Sequence, residues 1–236
     1  VQDFADSMED LSNWQPPRWP DGEVFEGRYA RLELLTPDHA EALFAANAVD
    51  DAIWKYLPYG PFAEVDGYRA WVEKVVAEPD PRFHAIYDKE AGAWGGVASL
   101  MRINPAAGTI EVGHINYSRP LQRTRAATEA MFLLMEWAYE AGYRRYEWKC
   151  HGANMGSRRA AQRYGFSYEG VFRQAGVVKG RSRDTAWFAS IDKEWPALKA
   201  AFETWLAPEN FDGEGRQKQS LSSLTAPILV ARDPKL

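Results

Sequence analysis

The sequence predicts an α/β fold, a mixed and mostly antiparallel twisted sheet flanked by helices. Two observations carry this reading. The hydrophobic period changes from two to about 3.6 and back several times along the chain, and short turn signals rich in Gly, Pro and Asn part the segments. The resulting order is strand, two helices, three strands, helix, strand, helix, two strands and a last helix, with no internal repeat.

Residues 1–22 hold Trp14, Pro16, Pro17, Trp19 and Pro20 without clean periodicity, and are expected to form an extended arm whose tryptophans pack on the body. The domain proper is expected to span 23–207. Over 26–35, Tyr29, Arg31 and Glu33 alternate with Ala30, Leu32 and Leu34, which is a strand. Thr36-Pro37-Asp38 then supplies an N-cap with Pro at the first helical position, and Ala40, Leu43, Phe44 and Asn47 give the helical face behind it. Val65, Tyr68, Val72 and Val75, at steps of three and four, place a second helix over 63–78. Strands over 83–88, 94–103 and 109–117 follow as an antiparallel run, divided by Ala91-Gly92 and by Asn104-Pro105-Ala106-Ala107-Gly108. After Pro120 the face Ala127, Ala130, Met131, Leu134, Trp137 and Ala138 is helical and ends at Gly142 as a C-cap. A strand over 143–150, a helix over 154–164 stopped by Gly165, strands over 166–173 and 185–191, and a helix over 194–206 complete the domain. The tail, 208–236, is polar apart from Ala226-Pro227-Ile228-Leu229-Val230 and is expected to be ordered only by docking.

With 236 residues, 46% of them hydrophobic and 26% charged, the chain can bury a sizeable core. The net charge of −5 argues against a broad nucleic-acid surface or a polybasic membrane surface. A single cysteine, Cys150, excludes an internal disulfide framework and a multi-cysteine zinc site. His39, His84, His114 and His151 show no metal-ligand spacing, so no metal is expected. No apolar run approaches the roughly 20 residues of a membrane span, and Val1-Gln2-Asp3-Phe4 lacks the order of a signal peptide. The expectation is a soluble, cytoplasmic protein with neither nucleic acid nor membrane as partner.

Two segments carry chemistry. In the first, Ile110-Glu111-Val112-Gly113-His114-Ile115-Asn116-Tyr117 ends a strand, and Leu121-Gln122-Arg123-Thr124-Arg125-Ala126-Ala127 opens a helix. Free N–H groups at such a start make an anion site aided by the helix dipole. Ala126 and Ala127 permit close approach, and Arg123 and Arg125 add positive charge. The same residues also suit an ordinary strand–loop–helix joint with surface arginines. The second segment, Asn154-Met155-Gly156-Ser157-Arg158-Arg159-Ala160-Ala161-Gln162-Arg163-Tyr164-Gly165-Phe166, follows a strand, forms a helix and enters another strand.

At this separation and in this element order, the two segments resemble the GNAT superfamily of acetyl-CoA-dependent N-acyltransferases, most closely the branch of the RimJ/RimL-type ribosomal-protein acetyltransferases. The resemblance covers about 25–206 and implies acetyl-CoA as cosubstrate, held at its diphosphate by the backbone of Leu121, Gln122, Arg123, Thr124, Arg125, Ala126 and Ala127. Gln122 and Ala127 match the family loop pattern, whereas Arg125 stands where glycine is usual. By the same resemblance Asn154 touches the pantetheine arm, which lies in a splay between the strand 111–117 and the strand 144–150. Ser157 is the candidate acid for the departing thiolate, because Ala161 stands where many relatives carry a tyrosine acid. Glu111 is the candidate base for an amine that must lose a proton before it attacks. Glu111 and His114 lie three apart, so strict alternation sends them to opposite sheet faces and only one into the cleft. A cross-strand salt bridge is the structural alternative for Glu111, and a hydrogen-bonded strand histidine that for His114. The aromatic residues Trp54, Tyr56, Tyr59 and Phe62 border the acceptor cleft in the family, or are simple core.

The expected activity is transfer of an acetyl group to a primary amine, either a protein N-terminus or a small amine, by direct attack and with no covalent enzyme intermediate. The branch resemblance, with the Trp-rich arm and the apolar tail, implies a homodimer. The alternatives are a non-catalytic acyl-CoA-binding module, or the same fold using a longer acyl group such as succinyl.

Overall fold

The computed structural model describes residues 9–22 and 24–236, so the readings made on Val1 to Phe4 lie outside the described residues. Eight strands form one sheet: β1 Phe25–Glu26, β2 Ala30–Leu34, β3 Arg82–Asp88, β4 Ala93–Asn104, β5 Thr109–Tyr117, β6 Arg145–His151, β7 Ser167–Val178 and β8 Arg181–Ile191. Their order is β1-β2-β3-β4-β5-β6-β8-β7. Among the described residues only β5 and β6 pair in parallel. The helices are α1 Ala40–Asn47, α2 Val65–Val76, α3 Arg125–Glu140, α4 Met155–Arg163, α5 Trp195–Leu206 and the short α6 Leu221–Thr225. Alternation along β3 and β4 divides the core. Ile86, Ala98 and Leu100 join α3 and α5 on one face, and Phe83, Ala85 and Val97 join α1 and α2 on the other.

A parallel pair needs a crossover, and α3 is that crossover. The β5–β6 ladder runs from Thr109 opposite Arg145 to Val112 opposite Trp148 and then stops. Both strands continue, β5 to Tyr117 and β6 to His151, so a wedge opens beyond Val112 and Trp148.

Two departures from the sequence reading have physical causes. The first strand is interrupted at Gly27, because the buried Glu129 carboxylate of α3 accepts the N–H groups of Arg28 (2.9 Å), Tyr29 (2.6 Å) and Ala30 (2.6 Å). A side chain at position 27 would collide with that carboxylate. The β7–β8 hairpin is longer than 166–173 and 185–191, since its outer arms leave the core and carry polar residues without an apolar face. At its tip the Lys179 ammonium donates to the carbonyls of Trp54 (3.1 Å), Tyr59 (3.1 Å) and Gly60 (2.8 Å), bridging to the loop after α1. The tail meets the body at Tyr168, whose N–H donates to Ala231 O (3.1 Å), and at Asp233, which is buried beside α4.

In the N-terminal segment Trp14 packs on Gly108, and Glu9 pairs with Arg144 (2.6 Å) and Lys193 (3.0 Å). Trp19 remains 39% exposed, short of the packing expected for it. Among the described residues no helix is long and apolar enough to cross a membrane, and no cluster of metal-ligating side chains occurs.

Candidate active site

Between Tyr117 and α3 the chain makes a tight loop. Thr124 is the N-cap, in extended backbone, with its Oγ1 accepting from Ala127 N–H (3.0 Å). Gln122 anchors the loop from behind through Nε2 to Tyr117 O (3.0 Å), and Leu121 settles against Gly95 and Gly96, where a side chain would not fit. The N–H groups of Leu121, Gln122 and Thr124 are taken up inside the loop. Among the described residues those of Arg123, Arg125 and Ala126 have no acceptor, and Arg123 sits at φ 67°. Three donors at the positive end of a 16-residue helix suit a diphosphate. The Arg125 side chain does not reach toward this site. It pairs with Glu90 and lies over the rings of Tyr29 (4.7 Å) and Phe211 (4.9 Å). As the first residue of α3 it has helical backbone, so this position needs no glycine conformation. Ala126 and Ala127 are buried against the core.

The wedge between β5 and β6 is a cleft of about 250 Å³, and it gathers Glu111, His114, Trp148, Asn154 and Ser157. Asn154 caps α4, its Oδ1 accepting from Ser157 N–H (3.1 Å), which leaves the amide NH₂ for a ligand. The cap is therefore Asn154, and the Ser157 hydroxyl serves elsewhere. Its Oγ accepts from Trp148 Nε1 (3.0 Å), and its hydroxyl also hydrogen-bonds the Cys150 sulfur. Cys150 adjoins it. Burial pushes that thiol above its ordinary range, against the Ser157 hydrogen bond, so it is no thiolate nucleophile at neutral pH.

Glu111 and His114 both line this cleft, contrary to the alternation argument. Three residues of β4, Val97 to Ser99, face four of β5, Gly113 to Asn116. His114 stands within that bulge at φ 50°, and the inserted residue resets the parity. Glu111 is buried between Arg102 (2.7 Å) and Lys149 (2.8 Å), the cross-strand ion pair weighed for it. Asp80 supports this arrangement by accepting the N–H groups of Arg102 (3.0 Å) and Ile103 (3.1 Å) at an irregularity of β4. The His114 ring stacks on Tyr59 at 5.6 Å and meets Phe83 at 5.1 Å. Burial, then the charges of Arg102 and Arg183, push it down to about 4, so the imidazole is neutral near pH 7.

Of the sequence candidates, Glu111, Asn154 and Ser157 thus meet in the cleft, while Leu121 to Ala127 form the loop at the start of α3. Trp148, Arg102 and Arg183 were missed. Nothing in the alternation of β4, β6 or the hairpin singles them out, and only the register brings them to one cleft. The tyrosines and tryptophans after α1 split. Trp54, Tyr59 and Phe62 pack together, whereas Tyr56 lines the cleft beside His151 and donates to Ala153 O (3.3 Å).

The family model of the acetyltransferase (GNAT) domain matches residues 30–167. A GCN5-related N-acetyltransferase from Brucella melitensis has a crystal structure similar to this one, with 49% identity and a TM-score of 0.89 over 92% of this chain and 100% of that one. A probable GNAT-family acetyltransferase from Chromobacterium violaceum shares 41% identity, with a TM-score of 0.76 over 81% and 97% of the two chains. The Salmonella typhimurium acetyl transferase that modifies the N-terminal serine of ribosomal protein L7/L12 shares the fold, at 21% identity and a TM-score of 0.63 over 72% and 99%. No curated protein matches the chain. On the matched domain and on the first two of these relatives, the chain belongs to the GNAT family of acetyltransferases.

Proposed function

We propose that the protein acetylates a primary amine, a protein N-terminus or a small amine, by direct attack within the β5–β6 wedge. The observation that carries this is the conjunction of free N–H groups at Arg123, Arg125 and Ala126 with an open wedge that holds Ser157 and Glu111. The loop from Leu121 to Ala127 holds the diphosphate, and the Asn154 amide steadies the pantetheine arm. When bound, acetyl-CoA supplies an activated thioester carbonyl. As the amine N–C bond forms and the C–S bond breaks, Glu111 receives the proton the amine gives up, and the Ser157 hydroxyl donates to the thiolate. The bulge at His114 favours a second reading, in which that neutral imidazole takes the amine proton.

The protein-N-terminus option draws on the fold shared with the Salmonella enzyme. A homodimer and a cytoplasmic location are part of this proposal. The homodimer fits the exposed Phe172 and Val177 on the edge strand β7, and light scattering reads it directly.

Ser157→Ala tests the assignment of the acid. With thiol release followed on a panel of amines, kcat is expected to fall by about 10²-fold, the low end for an acid aiding a good leaving group. Acetyl-CoA affinity should hold, because the bond strengthens only as charge builds on sulfur. Unchanged kcat returns the acid role to water.

A further inference from the structure

The cleft holds a positive charge that the mechanism above does not use. Arg102 and Lys149 share Glu111, and Lys149 also pairs with Glu147 (2.6 Å) and sits over the Trp187 ring (4.0 Å). Arg145, the next cation along β6, is held by Glu147 and Glu169. Arg183, reaching into the cleft from β8, has no acceptor among the described residues, and its Nε is buried without a partner. The adjacent carboxylate, Asp184, is occupied with the Gln174 N–H (2.7 Å). A guanidinium left with an unmet buried donor in a cleft is costly unless an anion completes it. Its planar fork fits a carboxylate through two parallel bonds. Its position agrees with the fields it exerts: the Arg183 charge presses on His114, His151 and Cys150, which border the same cleft.

We propose that Arg183 binds a carboxylate carried by the substrate, making this an acyltransferase for carboxylate-bearing substrates. The inference rests on the acyl-transfer reading and names its substrate class. The carboxylate has two sources, an amino-acid-like acceptor or a dicarboxylic acyl chain on the thioester. In either case Arg183 fixes the end of the substrate remote from the reacting carbon, and binding energy there orients the reacting atoms. No bond is made or broken at Arg183.

The experiment measures thiol release by wild type, Arg183→Gln and Arg183→Lys in two arms. One arm uses acetyl-CoA with free amino acids against the corresponding amino-acid amides. The other uses succinyl-CoA against acetyl-CoA with an uncharged amine. Wild type is expected to prefer the carboxylate form in one arm, and that arm names the source. Arg183→Gln should lose about 10- to 100-fold in kcat/KM for that form and little for its neutral counterpart, as for a lost charge-assisted hydrogen bond. Arg183→Lys, with charge but no fork, should fall between. CoA binding by calorimetry should be equal in all three, which also shows that the variants fold. Turnover without carboxylate preference in either arm, or equal losses for charged and neutral substrates, overturns the inference and leaves acyl transfer standing. Wild type that neither binds CoA nor releases thiol overturns both.

Discussion

At His114 the backbone enters the left-handed region inside a strand, a conformation uncommon for a residue with a side chain and one that tends to mark functional sites. The half-buried ring is depressed to about 4 from 6.5, so the unfolded chain takes up a proton before the folded one. Its contribution to stability is therefore complete above about 6.5 and is lost as pH falls toward about 4. Urea unfolding across that window is expected to weaken for wild type and to flatten for His114→Asn, asparagine being at ease with positive φ. Parallel slopes for the two proteins would contradict the burial of a neutral imidazole. Asn154 and Ser157 were named through the family resemblance alone, and the structure adds that Asn154 is the cap and Ser157 stands three residues on, where both line the cleft. Glu111 and His114 were only half legible, since a single inserted residue reverses strand parity and leaves no mark in the alternation. Arg183 was not legible at all. It reads as one more polar residue near a turn, and only the hairpin length turns it into the cleft.

Among the elements, α4 brings Ser157 and its cap Asn154 to the cleft, and the tail holds α4. Arg158 and Asp233 are both fully buried, joined at 2.5 Å through Nε and again at 2.5 Å through Nη2, while Nη1 reaches Gly152 O at 2.7 Å. Burial alone would raise the Asp233 carboxyl, but the Arg158 guanidinium and the Lys235 N–H outweigh it and hold the group below its ordinary range. The strap therefore ties the loop before Asn154 and the helix bearing Ser157 to the chain's last residues. Removing one partner leaves a buried charge alone, so Asp233→Ala should cost about 3–5 kcal/mol, whereas Arg158→Met with Asp233→Leu should recover much of the loss. Denaturant midpoints for the three proteins check this, and a double variant no better than the single one would refute it. The helices and central strands were readable from periodicity. Docking of the tail was expected, but its anchor was not legible, because Asp233 is one aspartate in a polar stretch and a sequence shows no partner for it. The long hairpin was missed for a related reason: strands that leave the core lose the apolar alternation by which strands are recognised.

Across the whole molecule one feature of topology creates the site. A sheet that is antiparallel at every other junction changes direction between β5 and β6, the crossover helix α3 starts at that junction, and the two strands part where their ladder ends. The fold was legible in the sequence because the order of elements survives small errors in their ends. The electrostatics of the cleft were not, because they depend on which charges find partners. Calorimetric titration of CoA into wild type, Arg125→Ala and Arg125→Pro tests most directly whether backbone N–H groups at this junction hold the cofactor. Proline is tolerated at the first position of a helix, and Thr124 already has the extended backbone, φ −82° and ψ 167°, that a following proline requires. Both variants lose the pairing with Glu90, and only the proline loses the N–H. The expected result is near-wild-type affinity for Arg125→Ala and about tenfold weaker binding for Arg125→Pro, the loss of one charge-assisted hydrogen bond. Equal affinities for the two variants, or no CoA binding by wild type, would contradict it.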